Sequence, residues 1–224
     1  MALEKGAAVV VTAVEPAADV PYVLVESDRK ALAQIGANFF GHPAKAMTMV
    51  GITGTNGKTS STLLLKHVLE TVQGAKVGLI GTMENLIGDE VVPTERTTPE
   101  SYELQALFAR MRDGGCKYVV MEVSSHAIAL DRVDTVRYDV AAFTNLTEDH
   151  LDFHGDMENY FAAKALLFDR CDTAVYNLDD RWGMRLAQEK TCPAITFSAK
   201  ENAAELVAKN VRLLPDGVQA VVVR

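Results

Sequence analysis

Residues 48–70 read TMVGITGTNGKTSSTLLLKHVLE, a β-rich apolar run that ends in glycines and passes into a helical pattern. The stretch has the character of a phosphate-binding loop, Gly-x-x-x-x-Gly-Lys-Ser/Thr, but not its spacing. Counting back from Gly57-Lys58-Thr59, the first glycine of that pattern falls on Ile52, whereas the chain has Gly51 and Gly54. The strand, loop and helix context is still the one in which such a loop has chemical meaning. Glycines let backbone N–H groups face an anion, and the helix N-terminus adds positive potential. Gly54, Thr55, Asn56, Gly57, Lys58, Thr59 and Ser60 are therefore candidate nucleotide-binding residues. Lys58 would reach the β and γ phosphates, and the Thr59 hydroxyl would ligate Mg²⁺. Kinases, GTPases and ligases share this device, so the loop alone does not select a reaction.

On either side, short β-rich runs alternate with helical patterns, the signature of a parallel α/β sheet. Strands are expected near 47–53, 76–82, 118–124, 141–146, 173–178 and 194–198. After the loop, the helix over 59–72 places Leu63, Leu64, His67 and Val68 on one stripe, with Gly74 as its stop. Pro99 opens a second helix that buries Leu104, Leu107, Phe108 and Met111 and ends at Gly114-Gly115. A third runs over about 157–168. The tail VRLLPDGVQAVVVR reads as a hairpin around Pro215-Asp216-Gly217.

Residues 1–45 form a strand-strand-helix unit closed by Gly41 and Pro43, too small to bury much surface alone. It is either the end of a domain or an appendage on the main sheet. The expected fold is thus α/β, a mostly parallel P-loop sheet over 46–224 with a small N-terminal α/β remnant.

With 224 residues, 48% hydrophobic and 23% charged, the composition is that of an ordinary globular chain. A formal net charge of −8 argues against nucleic acid as a partner, since such proteins show phosphates a basic face. Cys116, Cys171 and Cys192 have no CxxC spacing, so neither a disulfide framework nor a zinc site is indicated, and a reducing, cytoplasmic setting fits. No apolar run approaches the roughly 18 residues of a membrane span, and the start of the chain does not read as a secretory signal.

Two further strand ends carry acidic and imidazole groups. YVVMEVSSHAIALDRV puts Glu122 near the end of one strand, and Asn145, Glu148, Asp149 and His150 follow the next. Ligands of open parallel sheets bind at C-terminal strand ends, so these residues should converge on the loop as a Mg²⁺ shell. Glu148 and Asp149 read equally well as a helix-capping pair or solvated turn, and His154 reads as structural. Lys164 lies in NYFAAKALLF, where it either snorkels to water or is buried with a depressed pKa.

GITGTNGKT, ERTTPE, MEVSSHAIALDRV, FTNLTEDHLDFHG, YFAAKALLF and YNLDDRWG, in this order, resemble the Mur ligases over about 48–183. The family loop carries its earlier glycine displaced in the same way. The resemblance implies an ATP-dependent amide-bond ligase that uses Mg²⁺. Its members adding the third peptide residue join a diamino acid, meso-diaminopimelate or L-lysine, to UDP-N-acetylmuramoyl-L-alanyl-D-glutamate through an acyl phosphate in peptidoglycan synthesis. By position, Lys58, Lys164 and His150 are catalytic, and Thr59, Glu122, His150 and Lys164 hold metal, Lys164 matching a lysine that is carbamylated. Thr97, Thr98, Ser124 and Arg132 match substrate-binding positions, and Asn177 and Asp180 an ATP-side motif. Leu130 replaces a glutamine found in some members.

The resemblance also implies that residues 1–45 end a UDP-substrate domain, that a C-terminal amino-acid-binding domain is absent, and that the chain alone does not complete ligation. A folylpolyglutamate-synthetase-like ligase shares the Gly-Thr-Asn-Gly-Lys loop, but ERTTPE and EVSSHAIALDRV favour the sugar nucleotide. A P-loop switch module is the third alternative. No guanine-reading Asn-Lys-x-Asp is present, and the carboxylate, His150 and Lys164 set exceeds what a switch needs.

Overall fold

The computed structural model describes residues 3–17, 19–200, 203–215 and 217–224. In chain order the strands are β1 (Val10–Thr12), β2 (Tyr22–Leu24), β3 (Thr48–Thr53), β4 (Val77–Ile80), β5 (Asn85–Ile87), β6 (Glu90–Val92), β7 (Tyr118–Glu122), β8 (Tyr138–Phe143), β9 (Cys171–Asn177), β10 (Ala194–Ser198), β11 (Leu206–Leu214) and β12 (Gly217–Val223). The α-helices are α1 (Asp28–Phe39), α2 (Lys58–Gln73), α3 (Ser101–Asp113), α4 (Ser125–Ala129), α5 (Leu151–His154), α6 (Met157–Ala165) and α7 (Arg181–Glu189).

Ten strands form one sheet in the order β12-β11-β10-β9-β8-β3-β7-β4-β5-β6. From β11 to β4 all neighbours run parallel, while the β4-β5-β6 and β11-β12 pairings at the two edges are antiparallel. The mostly parallel α/β fold expected from the alternation of patterns is the fold found. Side chains alternate across β3: Met49 joins the core on one face, and Val50 and Ile52 join a second cluster with Val77, Leu79 and Val120 under α2. Burial on both faces is what makes these strands read as continuous apolar runs.

From β3 the chain crosses to β4 on one side, and β8 later pairs with the other side of β3. This reversal is a topological switch point, where a crevice opens beyond the carboxyl ends of the strands. The loop of 54–57 leaves β3 at that point.

Two expectations require correction. The buried face of α2 carries Thr62 and Lys66, flanked by the half-buried Leu65 and Leu69, while Leu63, Leu64, His67 and Val68 are exposed. The Leu63-Leu64-Leu65 run gives two helical phases, and docking on β3, β4 and β7 selects the other one. The strand expected over 141–146 is Tyr138–Phe143 instead, because Thr144 and Asn145 turn away to bond the loop.

Among the described residues β1 and β2 pair with each other alone, in parallel, and α1 packs on α3. Ser27 caps α1 by accepting from the Lys30 amide, as a helix start requires. The tail strands pair antiparallel with Leu214 opposite Gly217; Asp216 of the expected turn lies outside the described residues. Among the described residues no helix is long and apolar enough to cross a membrane.

Gly51 lies against the fully buried ring of Tyr138, and a Cβ there would stand 2.7 Å from its Cε1. Gly51 is paired on both sides within the sheet and Tyr138 is fully buried, so relieving the contact requires the core to repack. Gly51→Ala is expected to destabilise the chain by about 1–3 kcal/mol in urea denaturation.

Candidate active site

The loop after β3 is pinned to the segment after β8. The Thr55 amide donates to the Asn145 carbonyl at 2.9 Å, and the Asn56 amide to Asn145 Oδ1 at 2.9 Å. In return, Thr144 Oγ1 and Asn145 Nδ2 donate to the Asn56 carbonyl at 2.7 and 3.0 Å. Gly54 has φ +145°, and a Cβ there would stand 1.9 Å from Thr144 Oγ1, so only glycine fits. This close approach accounts for the position of the glycine that departs from the common spacing. Gly57 opens α2 in the left-handed region with no side-chain cap, and the first turn holds no acid. The leading N–H groups of a 16-residue helix are therefore free of a side-chain acceptor and suited to an anion.

Lys58 Nζ donates to the carbonyls of Gly54 at 3.0 Å and Thr55 at 2.8 Å. Burial pushes its pKa down, opposed by the charges of Glu122 and Asp149. Lys164 reaches the same place from α6. It is 2% exposed, its Nζ donates to the Gly54 carbonyl at 2.9 Å, and it lies 4.6 Å from the centre of the Tyr160 ring. Of the two readings open for this lysine, the structure has the buried one. Burial first, and the Lys58 charge second, pull its pKa down to about 7, against an opposing contribution from Asp149.

Glu122 ends β7 at 1% exposure. Its Oε1 accepts from Thr59 Oγ1 and the Thr82 amide, both at 2.9 Å, and its Oε2 from Thr82 Oγ1 at 3.1 Å. All three donors are neutral, so the buried negative charge is solvated without a bonded cation among the described residues. The Glu122 carbonyl accepts from Thr98 Oγ1 at 2.9 Å, which in turn accepts from the Ser124 amide at 3.2 Å. Thr97 and Thr82 share a hydroxyl contact at 3.0 Å. Arg132 donates to the Thr98 carbonyl at 3.2 Å. Thr97, Thr98, Ser124 and Arg132 thus stand together beside Glu122. The Ser124 hydroxyl is committed to capping α4 through the Ala127 amide at 3.2 Å.

His150 lies on the loop side, half exposed, in a left-handed conformation with φ 53° at the start of the one-turn α5. Its ring stands 4.9 Å from that of His126 and 6.2 Å from Tyr160, whose hydroxyl is 3.4 Å from Thr55 Oγ1. His154 bonds Ser125 Oγ at 2.9 Å, the structural role read for it. Burial lowers the pKa of both His126 and His154. Asp149 accepts from the His150 amide at 2.9 Å, so it caps a turn and also faces the two lysines. Among the described residues, no three His, Cys, Asp or Glu side chains form a ready-made metal centre.

Asn177 and Asp180 have backbone partners. Asn177 Nδ2 donates to the Thr144 carbonyl at 2.8 Å, and Asp180 caps α7 through the Trp182 and Gly183 amides while accepting from the Leu146 amide at 3.2 Å. They hold the segment that holds the loop. Thr82, Tyr160 and His126 carry contacts that the sequence reading did not single out. Thr82 has no motif of its own, and only the β4–β7 pairing brings it to Glu122.

A mostly parallel sheet with a glycine loop, a buried carboxylate, a buried lysine and a cluster of hydroxyls at its switch point is a fold of the Mur ligase middle-domain type. The model of the Mur ligase middle domain matches residues 52–224, and the chain belongs to that family. It is 47% identical to UDP-N-acetylmuramoyl-L-alanyl-D-glutamate--2,6-diaminopimelate ligase of Caldanaerobacter subterraneus subsp. tengcongensis, over 97% of this chain and 45% of the relative. The enzyme of the same name from Streptomyces coelicolor is 48% identical, over 82% and 36%. A solved structure of a protein of that name superposes with a TM-score of 0.82 at 25% identity, over 100% of this chain and 48% of that one. A Mycobacterium tuberculosis folylpolyglutamate synthase complexed with ADP and AMPPCP shares the fold at a TM-score of 0.64 and 16% identity, over 86% and 51%. The chain spans about half the length, or less, of the curated relatives it matches.

A lysine whose pKa falls on folding binds fewer protons in the native than in the unfolded state between about 7 and 10.5. Stability therefore rises with pH across that window and the penalty of burying the ammonium is fully present below it. The stability of the parent chain relative to Lys164→Met is expected to increase from pH 7 to pH 10 in urea denaturation series. A flat difference would show that the ammonium is not buried.

Proposed function

We propose that the chain is the nucleotide-binding middle portion of an ATP-dependent ligase that joins 2,6-diaminopimelate to UDP-N-acetylmuramoyl-L-alanyl-D-glutamate in peptidoglycan precursor synthesis. The observation that carries this reading is the joining of two lysines and a buried carboxylate at one uncapped helix N-terminus. The shared name of the relatives supports the acceptor, and favours diaminopimelate over lysine. The folylpolyglutamate synthases share the fold at much lower identity. Residues 1–45 would close a UDP-substrate domain and 46–224 form the ATP-binding domain, in the cytoplasm where ATP is supplied.

The residues present fit both ATP and Mg²⁺. The free N–H groups of 57–60 and the glycine at 54 leave the loop open to phosphate oxygens. Glu122, solvated among the described residues by neutral donors, has negative charge to offer a cation. Thr59, Glu122 and His150 would hold Mg²⁺, joined by Lys164 as a carbamate. Mg²⁺ supplies charge neutralisation as phosphate develops negative charge.

The protein's own residues do the positioning. Lys58 leaves the loop carbonyls for phosphate oxygens, an exchange favoured because a phosphate carries full charge and a carbonyl does not. Near neutral pH a large share of Lys164 is the free amine, the form that adds carbon dioxide, with release of one proton, to give an anionic carbamate. Thr97, Thr98, Ser124 and Arg132 would hold the acceptor beside Glu122. Asn177 and Asp180 act on the ATP side through the 144–146 segment.

Binding separates this reading from its competitors. ATP with Mg²⁺ and, separately, the UDP-muramoyl dipeptide are expected to raise the melting temperature, whereas a folate is not. A shift with folate and none with the dipeptide would overturn the acceptor assignment. In tripeptide-forming assays of a protein containing this chain, Lys164→Ala is expected to lose at least about a hundredfold in kcat, the scale of removing a charge-stabilising group. Full activity of that variant would remove Lys164 from the mechanism.

A further inference from the structure

The acceptor-side arginine is not held by its own domain alone. Arg132 Nη1 donates to the Thr98 carbonyl at 3.2 Å, and its Nη2 pairs with Glu100 Oε1 at 2.8 Å. The second oxygen of Glu100 pairs at 3.3 Å with Nη1 of Arg29, which lies in the first turn of α1. The same Arg29 nitrogen donates at 3.1 Å to the carbonyl of Leu130, the residue that terminates α4 two positions before Arg132. One carboxylate is therefore shared by two guanidinium groups from opposite sides of the boundary between the N-terminal unit and the main sheet.

Exposed ion pairs contribute little, since water screens them and long side chains lose freedom in forming them. The Arg132 half of this cluster differs in three respects, whereas Arg29 is 44% exposed and its pair with Glu100 is the longer one. The Arg132 side chain is only 12% exposed and its Nε is buried without a hydrogen-bond partner among the described residues, so the guanidinium has given up water for the Thr98 and Glu100 contacts. Both contacts fall within Thr98-Pro99-Glu100, which fixes the plane of the guanidinium rather than only its distance. Two cations and one anion leave a net charge of +1, so Glu100 orients the arginine without neutralising the site.

Resting on the assignment of Arg132 to the acceptor, we propose that Glu100 and Arg29 are positioning residues. Glu100 sets the plane in which the Arg132 guanidinium meets the anionic part of the acceptor. Arg29 fastens α1 to both ends of that arrangement, so that acceptor binding and docking of the 1–45 unit are coupled.

Glu100→Gln distinguishes positioning from a simple field effect. Loss of a negative charge beside an anion site strengthens acceptor binding if only the field matters. Loss of an orienting partner weakens it. The dissociation constant of UDP-N-acetylmuramoyl-L-alanyl-D-glutamate, measured by calorimetry, is expected to rise about tenfold in Glu100→Gln, the effect of one charge-assisted hydrogen bond, with ATP·Mg²⁺ binding unchanged. Equal or tighter acceptor binding overturns the role of Glu100. In Arg29→Ala, amide hydrogen exchange is expected to accelerate both in 28–39 and in 124–132; acceleration confined to 28–39 overturns the coupling. If the parent chain does not bind the dipeptide at all, the acceptor assignment of the preceding section falls and with it the role of Glu100, while the exchange experiment still decides whether Arg29 couples the two segments.

Discussion

The carbonyl oxygen of Gly54 receives two ammonium groups, Lys58 from the start of α2 and Lys164 from α6. Burial is unfavourable to both charges, and the Lys58 charge further disfavours that of Lys164. Both lysines consequently have pKa values below the ordinary range, Lys58 through burial and Lys164 through burial first and Lys58 second. The arrangement exists because β3 ends at Thr53 and is followed by a glycine whose missing Cβ lets Thr144 approach from one side. Displacing that carbonyl would loosen the loop, the Thr144-Asn145 segment and the seat of Lys164 together.

The sheet supplies what the loop lacks. Because β7 and β8 flank β3, Glu122 and the 144–150 segment arrive on opposite sides of the same loop. Thr59 then spans from the helix to Glu122, and Asn145 from the neighbouring strand end to Asn56. A helix N-terminus and two lysines provide positive potential at the loop, and the carboxylates of Glu122 and Asp149 reach it from the two flanking strand ends. The loop is held rigid by satisfied backbone groups: Asn177 and Asp180 are committed to the 144–146 backbone.

Much of this was legible in the linear pattern. Strand, glycine loop and helix follow from local propensity and glycine geometry, and six strand positions were read with shifts of a few residues. Glu122 was recognised from its place at the end of an apolar run. Other features were not legible. The phase of α2 was misread because three consecutive leucines fit two faces equally. Thr82, His126 and Tyr160 carried no signal, since each is an ordinary residue until a neighbour in space gives it a role. The same is true of the carboxylate of Glu100 and the guanidinium of Arg29, 71 positions apart.

The sequence by itself determined the class of fold, the nucleotide loop and the family, because these depend on short-range spacing and on motifs in fixed order. Tertiary structure alone decided the burial of Lys164 and the direction in which its ammonium points. It also decided which face of α2 meets the sheet and which hydroxyls gather at Glu122. The physical reason is that periodicity records whether a residue is inside or outside its own element. Electrostatic environment depends on which other elements the topology brings within a few ångströms, and no local pattern encodes that distance.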